Sequence, residues 1–227
     1  VDTNGSGRAI TFTFPAITNA ADGNAANDYF LLRMEFVALD MTINVGTNNN
    51  PRRGSNVVSV TDGSITLGAT GPVYRIVEHD VRVTKSRLPQ TGDAGDTITF
   101  TIVASNHVNA LADAYKVMVR DYLTNTVYDV TSFTSLSVPL GWTLNWQNHG
   151  TYGLYELSAN EGVGLAPGTG VTAQFSINLA QTVRPNQTYT NRVTIPQSST
   201  ISNDVPTGIK DRQDGATNTV THNIPGM

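Results

Sequence analysis

The sequence predicts an all-β protein built as an antiparallel sandwich, and three observations lead there. Thr, Val, Asn and Gly are abundant while helix-forming Lys, Glu and Leu are scarce; β-branched residues suit pleated strands, and Asn and Gly supply turns. Several segments alternate apolar and polar residues with period 2, the spacing that gives a strand one buried and one solvated face. Gly-, Pro- and Asn-rich clusters then separate those segments at regular intervals.

Over residues 79–196 each strand can be justified in turn. Val81 and Val83 alternate with Arg82 and Thr84. Ile98, Phe100 and Ile102 share one face of 97–102, with Thr on the other. Tyr115, Val117 and Val119 alternate with Lys116, Met118 and Arg120. In 171–179, Phe175, Ile177 and Leu179 face inward, and Val193 and Ile195 repeat the pattern near the end. Turns are expected at Gly92-Asp93-Ala94-Gly95-Asp96, Pro139-Leu140-Gly141, Asn148-His149-Gly150 and Pro167-Gly168-Thr169-Gly170. This spacing fits a complete immunoglobulin-like sandwich. The sole helical candidate, 108–115, is short and has no capping box, so it reads as a loop or single turn.

Residues 1–78 read differently. Three strands are expected, at 7–18, 28–40 and 55–61. They line up in order with the last three strands of the complete module: 28–36 parallels 171–179, and 55–60 parallels 190–195, placing Asn56 where Asn191 stands. This segment is expected to be the rear half of a preceding module. Three strands seldom close a sandwich, so the missing ones would come from an upstream repeat, from another subunit by strand addition, or from strands not legible here. Residues 197–227 are polar and turn-rich and read as a connector or tail.

Composition excludes several functions. The chain has 227 residues, 14% of them charged, with a formal net charge of −4, which argues against a nucleic-acid-binding surface. With no cysteine, disulfides and thiolate metal sites are ruled out. No segment has the length of a membrane-spanning helix, and the chain opens at Val1-Asp2-Thr3-Asn4 without a visible signal peptide, as a mature or excerpted fragment would. His79, His107, His149 and His222 lack ligand spacing. No nucleophile elbow, phosphate loop or dinucleotide fingerprint appears, so no enzymatic activity is expected. No cofactor is expected either. Calcium is the one candidate, through Asp22, Asn24 and Asp28 or through Asp93 and Asp96, where turn chemistry explains the same residues. Trp142, Trp146, Tyr152 and Tyr155 flank one turn. They could form a stacking platform for a surface glycan or receptor, or they could pack as a sandwich edge.

The complete module resembles the DUF11 repeat family of bacterial and archaeal surface proteins. The matching elements are Asp80-Val81-Arg82-Val83-Thr84-Lys85, Ala94-Gly95-Asp96-Thr97-Ile98-Thr99-Phe100-Thr101-Ile102, Ser105-Asn106, Val117-Met118-Val119-Arg120-Asp121 and Asn191-Arg192-Val193. The resemblance covers about half the chain, and it departs at the insertion Val108-Asn109-Ala110-Leu111-Ala112-Asp113. It implies an extracellular, cell-surface stalk, fibre or adhesin made of tandem repeats, with neighbouring repeats or copies of itself as partners.

Three polar residues fall where alternation points inward. Lys85 continues the face of Val81 and Val83, Asp121 that of Val117 and Val119, and Asn191 that of Val193 and Ile195. An unpaired charge in an apolar core is costly. One explanation is an intramolecular isopeptide bond between Lys85 and Asn191, assisted by Asp121, since burial would free the amine and protonate the carboxyl. Similar Lys–Asn–Asp/Glu sets in pilin and adhesin domains agree with it. The alternative is a strand-end Lys85 that snorkels to solvent and pairs with Asp121.

Overall fold

The computed structural model describes residues 2–3, 10–14, 23–24, 33, 53–62, 65–184, 186–200 and 216–223. The chain divides into two compact units, Val1–Val37 and Ala38–Met227. In the first, β1 (Asp2–Thr3) pairs antiparallel with β2 (Ile10–Thr11). Most of the strand expected at 28–40 lies outside the described residues.

The second unit opens with β3 (Arg53–Gly54), β4 (Val57–Asp62), β5 (Ile65–Thr70) and β6 (Tyr74–Arg75). The segment expected as a strand at 55–61 is β4, but its partner is β5, which the sequence reading did not count. Val57, Val58, Val60 and Leu67 of this hairpin are exposed.

The sandwich follows: β7 (Val81–Leu88), β8 (Thr97–Asn106), β9 (Ala114–Thr124), β10 (Tyr128–Ser137), β11 (Trp142–Asn148), β12 (Tyr152–Ala159), β13 (Gly164–Leu165), β14 (Gly170–Leu179), β15 (Thr188–Ser199) and β16 (Ala216–Asn223). Every pairing is antiparallel. One sheet has the order β10-β14-β8-β7. The other runs β11-β12-β9-β15-β16, with β13 paired to β9. No helix occurs among the described residues, and the 107–113 segment is a turn, as expected. Asn106 holds it: the buried side-chain amide donates to the carbonyls of Ala112 and Leu165 and accepts from the Asp80 N–H.

The expected inward faces are the buried ones, except that Tyr115 is half-buried, the alternation breaking at Lys116, whose φ is 51°. Val81 and Val83; Ile98, Phe100 and Ile102; Val117 and Val119; Phe175, Ile177 and Leu179; and Val193 and Ile195 form one core cluster between the sheets. Residues of each set alternate with half-buried or exposed neighbours, so removal of their apolar surface from water stabilises both sheets at once.

The tail corrects the sequence reading. Residues 216–223 form a strand, not a connector, paired with β15 from Thr188↔Asn223 to Ile195↔Ala216. The Thr-rich run Thr217-Asn218-Thr219-Val220-Thr221 is β-branched enough for a pleat but has no apolar alternation to announce it, because backbone ladder bonds suffice at the end of a sheet. Both β15 and β16 run beside β7, which brings the first and last strands of the core together.

Candidate functional site

The site lies where β7, β9 and β15 converge. On β7 the inward positions are Val81, Val83, Lys85 and Arg87; on β9 they include Val117, Val119, Asp121 and Leu123; on β15 they are Asn191, Val193 and Ile195. All three expected polar residues are therefore in the core. The side chains of Lys85 and Asp121 have 0% exposure, which removes the snorkelling alternative, although the pairing it included is present: Lys85 Nζ donates to Asp121 Oδ2.

Asp121 is held from both sides of its own sheet, with Tyr155 of β12 and Val193 of β15 as its cross-strand partners. Asn191 lies two residues from Val193, on the same face, and is the diagonal neighbour of Asp121, a spacing of about 7–8 Å between backbones that side chains bridge. Lys85 arrives from the opposing sheet, its Nζ 4.0 Å from the centroid of Phe100 and 5.9 Å from that of Phe175. The three groups thus meet in an aromatic box that also includes Tyr128, edge-on to Phe100 at 5.9 Å, and Tyr155, stacked on Phe175 at 4.8 Å.

Burial dominates the electrostatics. Desolvation pulls the Lys85 ammonium below the ordinary lysine range, and the attraction of Asp121 offsets part of that. Desolvation likewise raises the Asp121 carboxyl above the usual range, against the opposing pull of Lys85 and the Asn191 amide. Both shifts favour the same event: transfer of the proton from Lys85 to Asp121, leaving a neutral amine beside a neutral acid. Polar satisfaction is incomplete. Asp121 Oδ1 and both amide atoms of Asn191 are buried without completing a hydrogen bond. A buried ion pair is seldom more stabilising than a hydrophobic replacement, and an unpaired buried amide costs about 1–3 kcal/mol. As packing alone the cluster is expensive; as a nucleophile, a proton carrier and an acyl group in one dry box it has a chemical use.

Arg87 and Tyr128 were missed from sequence, and Tyr155 was singled out only as part of the aromatic turn. Arg87 continues the inward face of β7 one step past Lys85, is 3% exposed and donates to the Pro89 carbonyl, so alternation alone could have found it. Tyr128 and Tyr155 carried no polar-in-core signal, because their rings read as ordinary core residues. Burial raises both phenols well above the usual range, and the negative charge of Asp121 adds to the effect.

The other expected sites fare differently. Trp142, Trp146, Tyr152 and Tyr155 do not share a surface. Trp142 and Tyr155 are buried. Trp146 stacks on Phe133 at 4.1 Å and covers Gly153 so closely that a Cβ there would meet its ring at 2.0 Å. Tyr152 faces the other way, against Tyr122 and His149. Asp93 and Asp96 cap their own turn: Asp96 Oδ2 accepts from the Asp93 N–H, and Asp93 Oδ1 from the Ala94 N–H. Asn24 is exposed, while Asp22 and Asp28 lie outside the described residues. No three His, Cys, Asp or Glu side chains gather among the described residues. His79 Nε2 bonds Ser198 Oγ at 2.7 Å in the core, a tie between the entry to β7 and the end of β15. No helix among the described residues is long and apolar enough to cross a membrane.

No family model matches the chain, and no curated protein does; the DUF11 resemblance stands on its motifs alone. Among solved structures, the chain is similar to the fimbrial adhesin FimA of Actinomyces, with 22% identity and a TM-score of 0.41 over 62% of this chain and 56% of that one. It is similar to the major pilin SpaA of Corynebacterium diphtheriae, described as a modular pilus assembly with stabilizing isopeptide bonds, with 11% identity and a TM-score of 0.40 over 72% and 43%. An uncharacterized Nocardia farcinica protein with an immunoglobulin-like fold matches with 16% identity and a TM-score of 0.40 over 63% and 98%. The matches span about half the length of FimA and less of SpaA, and they concern the arrangement of strands, not the side chains of the site.

Proposed function

We propose that this chain is a structural module of an extracellular stalk, fibre or adhesin, and that Lys85 and Asn191 are joined in it by an intramolecular amide bond. One observation carries the reading: Lys85 and Asp121 are fully buried against each other, with the unbonded amide of Asn191 beside them.

The chemistry needs no cofactor. Asp121 takes a proton from Lys85, and the neutral amine attacks Cγ of Asn191. The Nζ–Cγ bond forms and the Cγ–Nδ2 bond breaks. A second proton of the amine passes through Asp121 to Nδ2, which leaves as ammonia. The apolar box favours each step, since it keeps the amine neutral and excludes competing water. The product replaces an ion pair and an unpaired amide by one neutral amide.

The bond would tie the first sandwich strand, β7, to the next-to-last, β15, so that tension applied at either end of the module passes through a covalent link and not through ladder hydrogen bonds. That suits a load-bearing surface repeat without cysteines, the role the DUF11 resemblance implies. In this reading residues 1–78 belong to a preceding repeat whose missing strands come from an upstream segment or a neighbouring copy. The exposed Val57, Val58, Val60 and Leu67 of the β4–β5 hairpin support that need for a partner. The test is intact mass: the folded protein is expected to lack one ammonia, and Lys85→Ala and Asp121→Ala to restore the full sequence mass. A folded wild type at full mass would refute the bond.

A further inference from the structure

The ladder between β9 and β15 ends at the site. Its last pair on that side is Val193↔Asp121. Beyond it, Tyr122, Leu123 and Thr124 of β9 pair only toward β12, and Thr188 to Arg192 of β15 pair only toward β16. The two strands diverge here, and the gap is a cleft of about 450 Å³ lined by Tyr122, Thr124, Tyr128, Thr190, Asn191 and Arg192, among others. Tyr122, Thr124, Thr190 and Arg192 are the exposed positions of their strands, whereas Asn191 and Tyr128 are buried. The cleft therefore runs from the surface down to Asn191, whose amide atoms stay covered, with Tyr128 beside it.

Tyr128 enters from the opposite sheet, paired to Leu179. Its ring is fixed edge-on against Phe100, the same ring that lies under Lys85 Nζ. Its phenol lies near enough to Asn191, Asp121 and Arg87 for each to influence it, and Tyr128 and Asn191 line the same cleft. Asn191 thus shares its sheet with the acid, while the amine and the phenol both come from the opposing sheet. For attack at Cγ the amide plane must turn its face to Lys85, and a torsion about the Asn191 side chain is soft unless a neighbour fixes it. An aromatic hydroxyl on a ring locked by packing is suited to that task.

We infer that Tyr128 is a positioning residue for the Lys85–Asn191 bond, orienting the Asn191 amide for attack, and that the cleft between β9 and β15 is the path by which ammonia leaves. The inference rests on the cross-link proposed above. The phenol acts as a neutral hydrogen-bonding group throughout; no proton is consumed on it, and the atoms balance as in the displacement already described. Loss of the outgoing ammonia to solvent makes the step irreversible in practice, and the cleft lined by Asn191 is the short way out.

The experiment follows cross-linking in time. Wild type, Tyr128→Phe and Tyr155→Phe chains are made by cell-free synthesis, quenched at intervals in denaturant and weighed intact. Tyr155 is the comparison: phenylalanine there keeps the ring that helps box the site, and the residue does not line the cleft. Tyr128→Phe is expected to slow ammonia loss by about 10–10³-fold, the upper range being that of losing one preorganised donor, while Tyr155→Phe stays close to wild type. Filling the mouth with Thr190→Trp is expected to slow the reaction as well. Equal rates for Tyr128→Phe and wild type overturn the inference and leave the bond itself standing. Equal slowing by both phenylalanine variants assigns the effect to packing and overturns it too. A wild type that never loses ammonia ends both this inference and the proposal beneath it.

Discussion

Asn191→Ala separates the two ways this core could be built, because they give opposite signs. If no bond forms, the wild type buries an amide with neither polar atom bonded. Removing it relieves about 1–3 kcal/mol of desolvation and forfeits a similar amount of packing, so stability stays near wild type or rises. If the bond forms, the variant loses a covalent closure between residues 85 and 191. The chain-entropy account gives about 4.7 kcal/mol for a loop of about 100 residues. Meanwhile the Lys85–Asp121 pair survives, so no new unpaired charge complicates the comparison. At about 4 °C per kcal/mol for a sandwich of this size, the expected fall in melting temperature is roughly 15–20 °C. Urea melts followed by tryptophan fluorescence are a suitable assay, since Trp142 is buried and Trp146 is stacked on Phe133. The denaturant slope should also steepen, because a cross-linked unfolded chain exposes less surface. An Asn191→Ala protein as stable as wild type would refute the reasoning.

Gly153→Ala drives a Cβ into the Trp146 ring; overpacking of this kind costs about 1–3 kcal/mol, and near-ultraviolet dichroism should report the displaced indole. Trp142→Ala should cost about 3–5 kcal/mol as a core truncation, with glycan binding unaffected; lost glycan binding at unchanged stability would contradict the core assignment. The pH dependence has a worked sign. In Asn191→Ala, the lowered Lys85 and the raised Asp121 oppose each other, because the folded pair and the unfolded pair each hold one proton between about pH 4 and 10, and the net slope from the pair is near zero. Once cross-linked, Lys85 no longer titrates. Asp121, raised by burial, then contributes stability that is full below its unfolded value of about 3.9 and is lost as pH rises through its folded value, at up to about 1.4 kcal/mol per pH unit. Wild type minus Asn191→Ala stability, measured by urea titration at several pH values, should therefore decline with pH. Serine at Val58 and Leu67 should reduce self-association in light scattering if the hairpin face docks on another copy.

What the sequence disclosed was what period-2 alternation encodes. Lys85, Asp121 and Asn191 stood out because each interrupts an otherwise apolar face, and a strand turns every second residue the same way. The same parity argument would have separated Tyr152 from Tyr155, which are three apart on one strand and so face opposite ways; sequence proximity around a turn hid that. β16 was illegible because its ladder depends on backbone groups that every residue carries. The cleft was illegible because it exists only where β9 and β15 part, and Tyr128 because its relation to Asn191 spans the two sheets.

Mass loss alone has a second source, since an asparagine followed by glycine can also expel ammonia by cyclising on its own backbone, and Asn4-Gly5 is such a pair. The most direct test is therefore to digest the folded wild-type protein and sequence the peptides by tandem mass spectrometry. The account expects a branched species in which the peptide holding Lys85 is joined through its side chain to the peptide holding Asn191, absent from Asp121→Ala. Linear, unmodified peptides for both positions, recovered from protein shown to be folded, would contradict it.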